Sequence, residues 1–325
     1  MEYRQLGRTG ITVSEIGFGA WGIGGAMWQG GDDDTSLAAL AAALDAGCTF
    51  IDSALAYGDG HSERLVGQIV RGRAEDVAVA SKVPPKNRLW PARPGVRLAD
   101  VFPAEYVERC ANVSAENLGR AVDVLQLHVW RDAWLGESDW HAVERQLGRL
   151  VATGVVRHVG ISINDHEPET ALEAVRQVDL FSVVQVIYNI YDRTPEERLF
   201  PACVERNVGV VARVPFDEGG LTGVIVPGVT FPPGDWRRRY FRDDRPAQVA
   251  GRVERLRPVL LREAETLTEG ALRFCLSNQA VSAVIPGMRT PAHAEANCAV
   301  SDGRLLAPAL LDELKAHAWP RNFYE

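Results

Sequence analysis

Eight short apolar runs, rich in Val and Ile, recur along the chain at Glu15–Phe18, Phe50–Asp52, Val77–Ser81, Val124–His128, His158–Ser162, Val183–Tyr188, Val208–Arg213 and Val281–Pro286. They read as continuous apolar stretches, the pattern of strands covered on both faces, which parallel βα units provide and antiparallel meanders rarely do. Between them lie stretches with helical spacing. In Thr35–Gly47, Thr35 is placed to cap, Leu37, Leu40 and Leu44 share one face, and Gly47 supplies a left-handed stop. Pro103–Gly119 and Pro195–Gly209 repeat the theme.

Eight βα units predict a closed (β/α)8 barrel, an α/β fold of the TIM-barrel kind, with residues 1–325 as one domain. An open doubly wound sheet is disfavoured, because Gly17–Gly25 is too long and carries Trp21 where a GxGxxG turn needs small residues. Tyr3–Leu6 and Ile11–Val13 around Gly7-Arg8-Thr9-Gly10 predict an N-terminal β-hairpin that plugs the barrel floor. Two long Pro/Gly-rich segments, 84–103 and 216–246, follow the third and seventh strands and so fall on the C-terminal face, where barrel sites are built.

Composition narrows the function. A chain of 325 residues, 46% hydrophobic and 24% charged, is that of an ordinary globular protein, and its net charge of −8 gives no attraction to nucleic acid or anionic membranes. Five dispersed cysteines (Cys48, Cys110, Cys203, Cys275, Cys298) form no metal motif, and the seven histidines contain no HxH pair, so no metal is expected. Without a signal peptide or a run of about 20 apolar residues, a cytoplasmic location is expected. Asp32-Asp33-Asp34 precedes a helix and complements its dipole, with no chemistry assigned. Monomer, dimer and higher homo-oligomer all stay open.

Four polar residues stand at or just beyond strand ends: Asp52, Tyr57, Lys82 and His128. A phenol, pKa about 10, is a poor proton donor at neutral pH unless a cation stabilises its anion. Lys82 can be that cation, Asp52 can hold it, and neutral His128 can orient a carbonyl while Tyr57 protonates it. The missing hydride must come from a nicotinamide cofactor.

These residues, with Tyr3–Gly10, Gly17–Trp21, His61-Ser62-Glu63-Arg64, Gly160-Ile161-Ser162, Ile285-Pro286-Gly287 and Asn297 in that order, give a chain that resembles the aldo-keto reductases over nearly its whole length. The branch it is most similar to is that of bacterial general aldo/keto reductases, which also resemble potassium-channel β subunits. The resemblance implies the barrel, the catalytic tetrad Asp52, Tyr57, Lys82 and His128, and NADPH bound extended. It assigns cofactor contacts to Ala20, Trp21, Ser162, Asn164, Gln185, Arg213, Val214, Phe216, Leu221, Gly287, Arg289, His293 and Asn297. Arg213 stands where many members stack an aromatic ring on the nicotinamide, Val214-Pro215-Phe216 replaces a common Ser-Pro-Leu, and Ala296 replaces an acidic residue. Arg289 and His293, near a helix opened by Pro291, suit a 2′-phosphate and hence NADPH, with NADH left open. Trp21, Trp90, Trp130 and Phe231 are candidates to wall a pocket for a small carbonyl substrate. The expected activity is interconversion of an aldehyde or ketone with its alcohol, and the alternative is a nucleotide-binding redox-sensing or scaffolding subunit.

Overall fold

The computed structural model describes residues 1–25, 27–73 and 76–324. Among these residues ten strands form two sheets. β1 (Tyr3–Gln5) and β2 (Thr12–Ser14) pair antiparallel as the predicted hairpin, with Tyr3 opposite Ser14. The other eight run parallel in chain order: β3 (Phe18–Gly19), β4 (Phe50–Asp52), β5 (Ala78–Val83), β6 (Val122–Leu127), β7 (Val156–Ser162), β8 (Phe181–Ile187), β9 (Gly209–Arg213) and β10 (Val281–Val284). Parallel bridges from Ile16 to Val284 and from Gly19 to Gly287 join the two ends, so the sheet closes into the (β/α)8 barrel. Gly19 is required at that seam, because a Cβ there would sit 2.8 Å from the Ile285 carbonyl oxygen.

Among the described residues twelve α-helices accompany the strands: α1 (Asp33–Asp45), α2 (His61–Val70), α3 (Leu98–Val101), α4 (Ala104–Leu118), α5 (Trp140–Ala152), α6 (Leu172–Gln177), α7 (Leu199–Glu205), α8 (Arg237–Tyr240), α9 (Arg245–Leu260), α10 (Leu267–Leu276), α11 (Pro291–Ala299) and α12 (Pro308–Glu313). The cap of α1 differs from expectation. Asp32, not Thr35, holds the N-cap and accepts the Thr35 amide at 2.8 Å. A carboxylate at that place also complements the helix dipole, which a hydroxyl three residues inside the helix cannot do as well.

Strand alternation sorts the apolar residues into two cores. One parity, including Ile51, Val79, Leu125, Ile161, Val184 and Val210, faces the helices in the main cluster. The other parity fills the barrel with Phe50, Ala78, Ala80, Val124, Val183, Val211, Ala283 and Ile285, and Leu6 and Val13 of the hairpin join it. The hairpin is thus a plug. Its Arg4 donates to the Leu276 and Val281 carbonyls, both at 2.8 Å, and its Arg8 to the Arg206 carbonyl at 2.7 Å and the Phe181 carbonyl at 2.6 Å. No helix among the described residues is long and apolar enough to cross a membrane.

Candidate active site

The inward parity that builds the barrel core also aims the site. Two residues beyond Phe50, Ala80, Val183 and Val211, the same parity delivers Asp52, Lys82, Gln185 and Arg213, and four beyond Val124 it delivers His128. Ser162 is the register partner of Gln185. All of these except Lys82 line a single cavity of about 1810 Å³ at the C-terminal mouth of the barrel. That exceeds the ~300–1000 Å³ of an ordinary ligand pocket, so the mouth has room for a dinucleotide and a small substrate together.

The tetrad residues converge. The Lys82 ammonium, fully buried, donates to Asp52 Oδ2 at 2.6 Å, to the Ser53 carbonyl at 2.7 Å and to the Tyr57 phenol at 3.3 Å. Gln185 Nε2 donates to Asp52 Oδ1 at 2.6 Å, so both oxygens of the carboxylate are engaged. The Tyr57 and His128 rings lie edge to face, 5.9 Å apart. The His61-Ser62-Glu63-Arg64 motif sits beneath this group. Ser62 donates to the Ala20 carbonyl and accepts from Ser53, each at 2.9 Å, while Glu63 accepts from Ser81 and Asn117. Ser53 and Ser81 are the chain neighbours of Asp52 and Lys82, so the motif fixes the backbone that carries the pair.

Electrostatics suit proton donation. Burial, with the Asp52 charge adding to it, holds the Tyr57 phenol well above its ordinary pKa, so it stays protonated. Burial lowers the Lys82 ammonium, and Asp52 opposes that shift. Burial, then the Lys82 and Arg213 cations, push His128 well below the ordinary range of a histidine, so its imidazole is neutral. A protonated phenol beside an ammonium and a neutral imidazole can give a proton to an oxygen placed between them.

On the opposite wall, the residues present suit a nicotinamide dinucleotide. Ser162 is buried and lines the cavity, and its side-chain hydroxyl has no hydrogen-bond partner among the described residues. From there the cavity runs past Gly287 to the first turn of α11, lined by Arg289, His293 and Asn297. Thr290 caps α11, accepting the His293 amide at 3.2 Å, and this helix N-terminus with an arginine beside it matches a phosphate. Val214 and Phe216 also line the cavity.

Several expected contacts fall differently. Trp130 does not face the cavity: it is fully buried beneath it against Trp134, Trp140 and Phe181, at ring separations of 5.6, 5.3 and 5.2 Å. Past His128 the chain turns outward, and Trp130 joins the helix-facing core. Ala20 and Leu221 are likewise fully buried outside the cavity lining, with Ala20 tied by its amide to the Asp52 carbonyl and by its carbonyl to Ser62. Phe231 also lies outside the lining and stacks on Phe241. Asn164 lines the cavity, but its amide is committed to both backbone groups of Ala92, each at 3.1 Å, and so pins the 84–103 segment. Arg289 donates to the Gln29 carbonyl at 2.6 Å.

The wall beside Tyr57 and His128 is more aromatic than the sequence suggested. Trp21 stacks on Tyr57 at 6.2 Å and meets Trp28 and Trp236 at 5.6 and 5.7 Å, while Trp90 meets His128 at 5.9 Å. Trp28 and Trp236 were missed, as was Tyr324, which stacks on Trp236 at 5.2 Å and donates to Glu218 at 2.5 Å. Trp28 and Trp236 come from segments that cross the mouth toward each other. Arg237, paired with Asp235, stacks on Trp28 at 4.6 Å, and the Trp236 amide donates to the Met27 carbonyl at 2.9 Å. A Gly-rich segment holding a lone Trp was the one available signal for this strap.

Comparison with known proteins agrees with this geometry. An aldo-keto reductase of Bacillus subtilis is 30% identical over 301 residues, covering 91% of this chain and 87% of that protein. Pyridoxal 4-dehydrogenase of Microbacterium luteolum is 29% identical over 321 residues, covering 89% and 90%. The glycerol dehydrogenase structure from Gluconobacter oxydans superposes with a TM-score of 0.79 at 24% identity, over 98% of this chain and 97% of that one, and shows the same fold. With the profile of the aldo/keto reductase family matching residues 15–318, the chain belongs to that family and is an NAD(P)-dependent oxidoreductase acting on small carbonyl compounds.

Proposed function

We propose that this protein reduces an aldehyde or ketone to its alcohol, or runs the reverse oxidation, with Tyr57 as the proton donor and NADPH as the favoured cofactor. The observation that carries the reading is the buried Asp52–Lys82–Tyr57 chain, with contacts of 2.6 and 3.3 Å. A nicotinamide held in the cavity would supply or accept the hydride. His128, neutral, donates a hydrogen bond to the substrate oxygen and fixes it beside the phenol. Tyr57 then passes its proton to that oxygen, and the adjacent Lys82 ammonium stabilises the phenolate left behind. Asp52 keeps the ammonium in place and charged. Ser162 and Gln185 are the polar groups on the wall that holds the nicotinamide, and Arg289 and His293 are placed for the adenosine 2′-phosphate, which favours NADPH over NADH.

Trp21, Trp90 and Trp236 wall the approach to Tyr57, which supports a flat or apolar carbonyl substrate. The named relatives, a pyridoxal 4-dehydrogenase and a glycerol dehydrogenase, support chemistry in either direction. All five cysteines are free and buried, as suits a reducing compartment, and we place the protein in the cytoplasm.

The test is Tyr57→Phe, assayed by steady-state NADPH oxidation against a panel of aldehydes and ketones and by fluorescence titration with NADPH. Turnover should fall by about 10²–10⁴-fold with the cofactor Kd within about twofold of the parent. Undiminished turnover would remove Tyr57 from the mechanism.

A further inference from the structure

Arg213 is the one charged side chain on the wall opposite the tetrad that the barrel's inward parity delivers. It follows Val211 on β9, its side chain is 17% exposed, and it lines the cavity. It is held rather than solvated: Nη2 donates to Asp165 Oδ1 at 2.6 Å and to the Ile163 carbonyl at 3.1 Å. Nε is buried and has no partner among the described residues. The backbone beyond is also fixed. Val214, a β-branched residue, adopts a left-handed φ of 57°, and its carbonyl accepts Asn189 Nδ2 at 2.9 Å. Such a conformation persists only where the surroundings impose it. Burial is the main influence on Tyr57, Lys82 and His128, and the Arg213 charge reaches all three, opposing the rise at Tyr57 and adding to the fall at Lys82 and His128.

The position of the nicotinamide ring follows from the functional reading above. The tetrad occupies the mouth on the β4–β6 side, so a nicotinamide that exchanges hydride with a carbon held by Tyr57 and His128 has to lie toward β7–β9. That wall carries Ser162, Gln185 and Arg213. The two redox states of the ring differ there by a full charge, because oxidised nicotinamide is a cation and reduced dihydronicotinamide is neutral. An aromatic side chain would attract the cationic form through its face. A guanidinium repels it. Asp165, from the segment after β7, offsets part of that field, and Glu218 with Tyr324, from the segment after β9 and the C-terminal stretch, bounds it on the remaining side.

We propose that Arg213 makes this site discriminate the redox state of its cofactor, binding the reduced, neutral nicotinamide more tightly than the oxidised, cationic one, with Asp165 setting how strongly. The consequence is kinetic as well as thermodynamic: in the direction of carbonyl reduction the oxidised cofactor leaves readily, and reduced cofactor displaces it.

The test is titration of the full chain with NADPH and with NADP⁺, following intrinsic tryptophan fluorescence and confirming by calorimetry. In the parent, Kd for NADP⁺ should exceed that for NADPH by on the order of tenfold. Arg213→Trp should lower that ratio to about unity or invert it, Arg213→Lys should keep most of it, and Asp165→Asn should raise it. The opposite signs of the Arg213→Trp and Asp165→Asn effects exclude a merely structural explanation, and Arg213→Lys and Asp165→Asn decide alone if Arg213→Trp folds poorly. If both forms bind and the ratio is the same in every variant, the inference is overturned while the functional reading stands. If neither form binds the parent, the functional reading falls, and the inference with it.

Discussion

Asp52→Asn removes the negative charge from beneath a lysine that has no route to water. Lys82 is fully buried and Asp52 is 2% exposed, and the carboxylate takes 2.6 Å bonds from Lys82 and from Gln185 at once. An amide cannot replace it, because its NH2 group must face one of these two donors. Removing one partner of a buried pair costs about 3–5 kcal/mol. At about 2.1 cal/mol/K per residue over 325 residues, the unfolding entropy is about 0.7 kcal/mol/K, so the Tm should fall by about 4–7 °C at pH 7. The sign with pH follows from Lys82. Burial already lowers its pKa, and the variant loses the Asp52 charge that opposes this, so its folded value lies further below the ordinary ~10.4. The penalty for the unpaired charge is therefore full below that folded value and shrinks as pH rises toward about 10.4, where the unfolded chain also releases the proton. Calorimetric scans of parent and variant from pH 6 to about 10, with turnover measured alongside, read both effects. A Tm within about 1 °C of the parent, or a deficit that does not change with pH, would refute the reasoning.

Burial pushes the Glu218 carboxyl up to about 7 against the hydrogen bond from Tyr324. The folded state therefore holds its proton more tightly than the unfolded chain, whose ordinary value is about 4.3, and the stability this gives is full below about 4.3 and lost as pH rises through about 7. Glu218→Gln should flatten the fall in Tm between pH 5 and 8, measured by differential scanning fluorimetry, and an unchanged slope would place the titration elsewhere. Arg237→Ala deletes the guanidinium that stacks on Trp28 and Phe231 at 4.6 and 4.7 Å and pairs with Asp235. With the strap across the mouth loosened, cofactor release in stopped-flow fluorescence should quicken by about tenfold, equivalent to about 1.4 kcal/mol; an unaltered rate would mean that the strap does not retain the cofactor.

The barrel was legible because its signal is redundant. Each apolar run recurs in the same register against helical spacing, and the eight runs overlap the eight barrel strands, with only the first displaced, to Phe18–Gly19. Asp52, Lys82 and His128 were legible for the same reason, since each is a polar interruption of a parity the barrel interior otherwise fills with apolar side chains, whereas Gln185 and Arg213 came from the family resemblance. Residues off the strands had no such register. Trp130 lies two positions past His128, where the chain has already turned toward the helices, and nothing in the local pattern says so. Trp28, Trp236 and Tyr324 meet only through long-range contacts between two loops and the C-terminal stretch, and Glu218 sits in a run of left-handed residues, Asp217 to Gly219, that no hydropathy pattern announces.

The hairpin at the floor of the barrel has a consequence for assembly during synthesis. Its Leu6 and Val13 complete an interior layer whose other members extend to Ala283 and Ile285, and its Arg4 is anchored to carbonyls 272 and 277 positions along the chain. The hairpin leaves the ribosome long before the strands it plugs and is therefore among the last elements to find its place. Until β10 has emerged, β1 and β2 wait with their apolar side chains unsheltered and the barrel stands open at its base. Contacts of such sequence separation form slowly, and incomplete intermediates with exposed apolar surface are prone to associate. Chaperone dependence and yield should thus respond to changes at Leu6 and Val13 more strongly than the small size of the hairpin suggests.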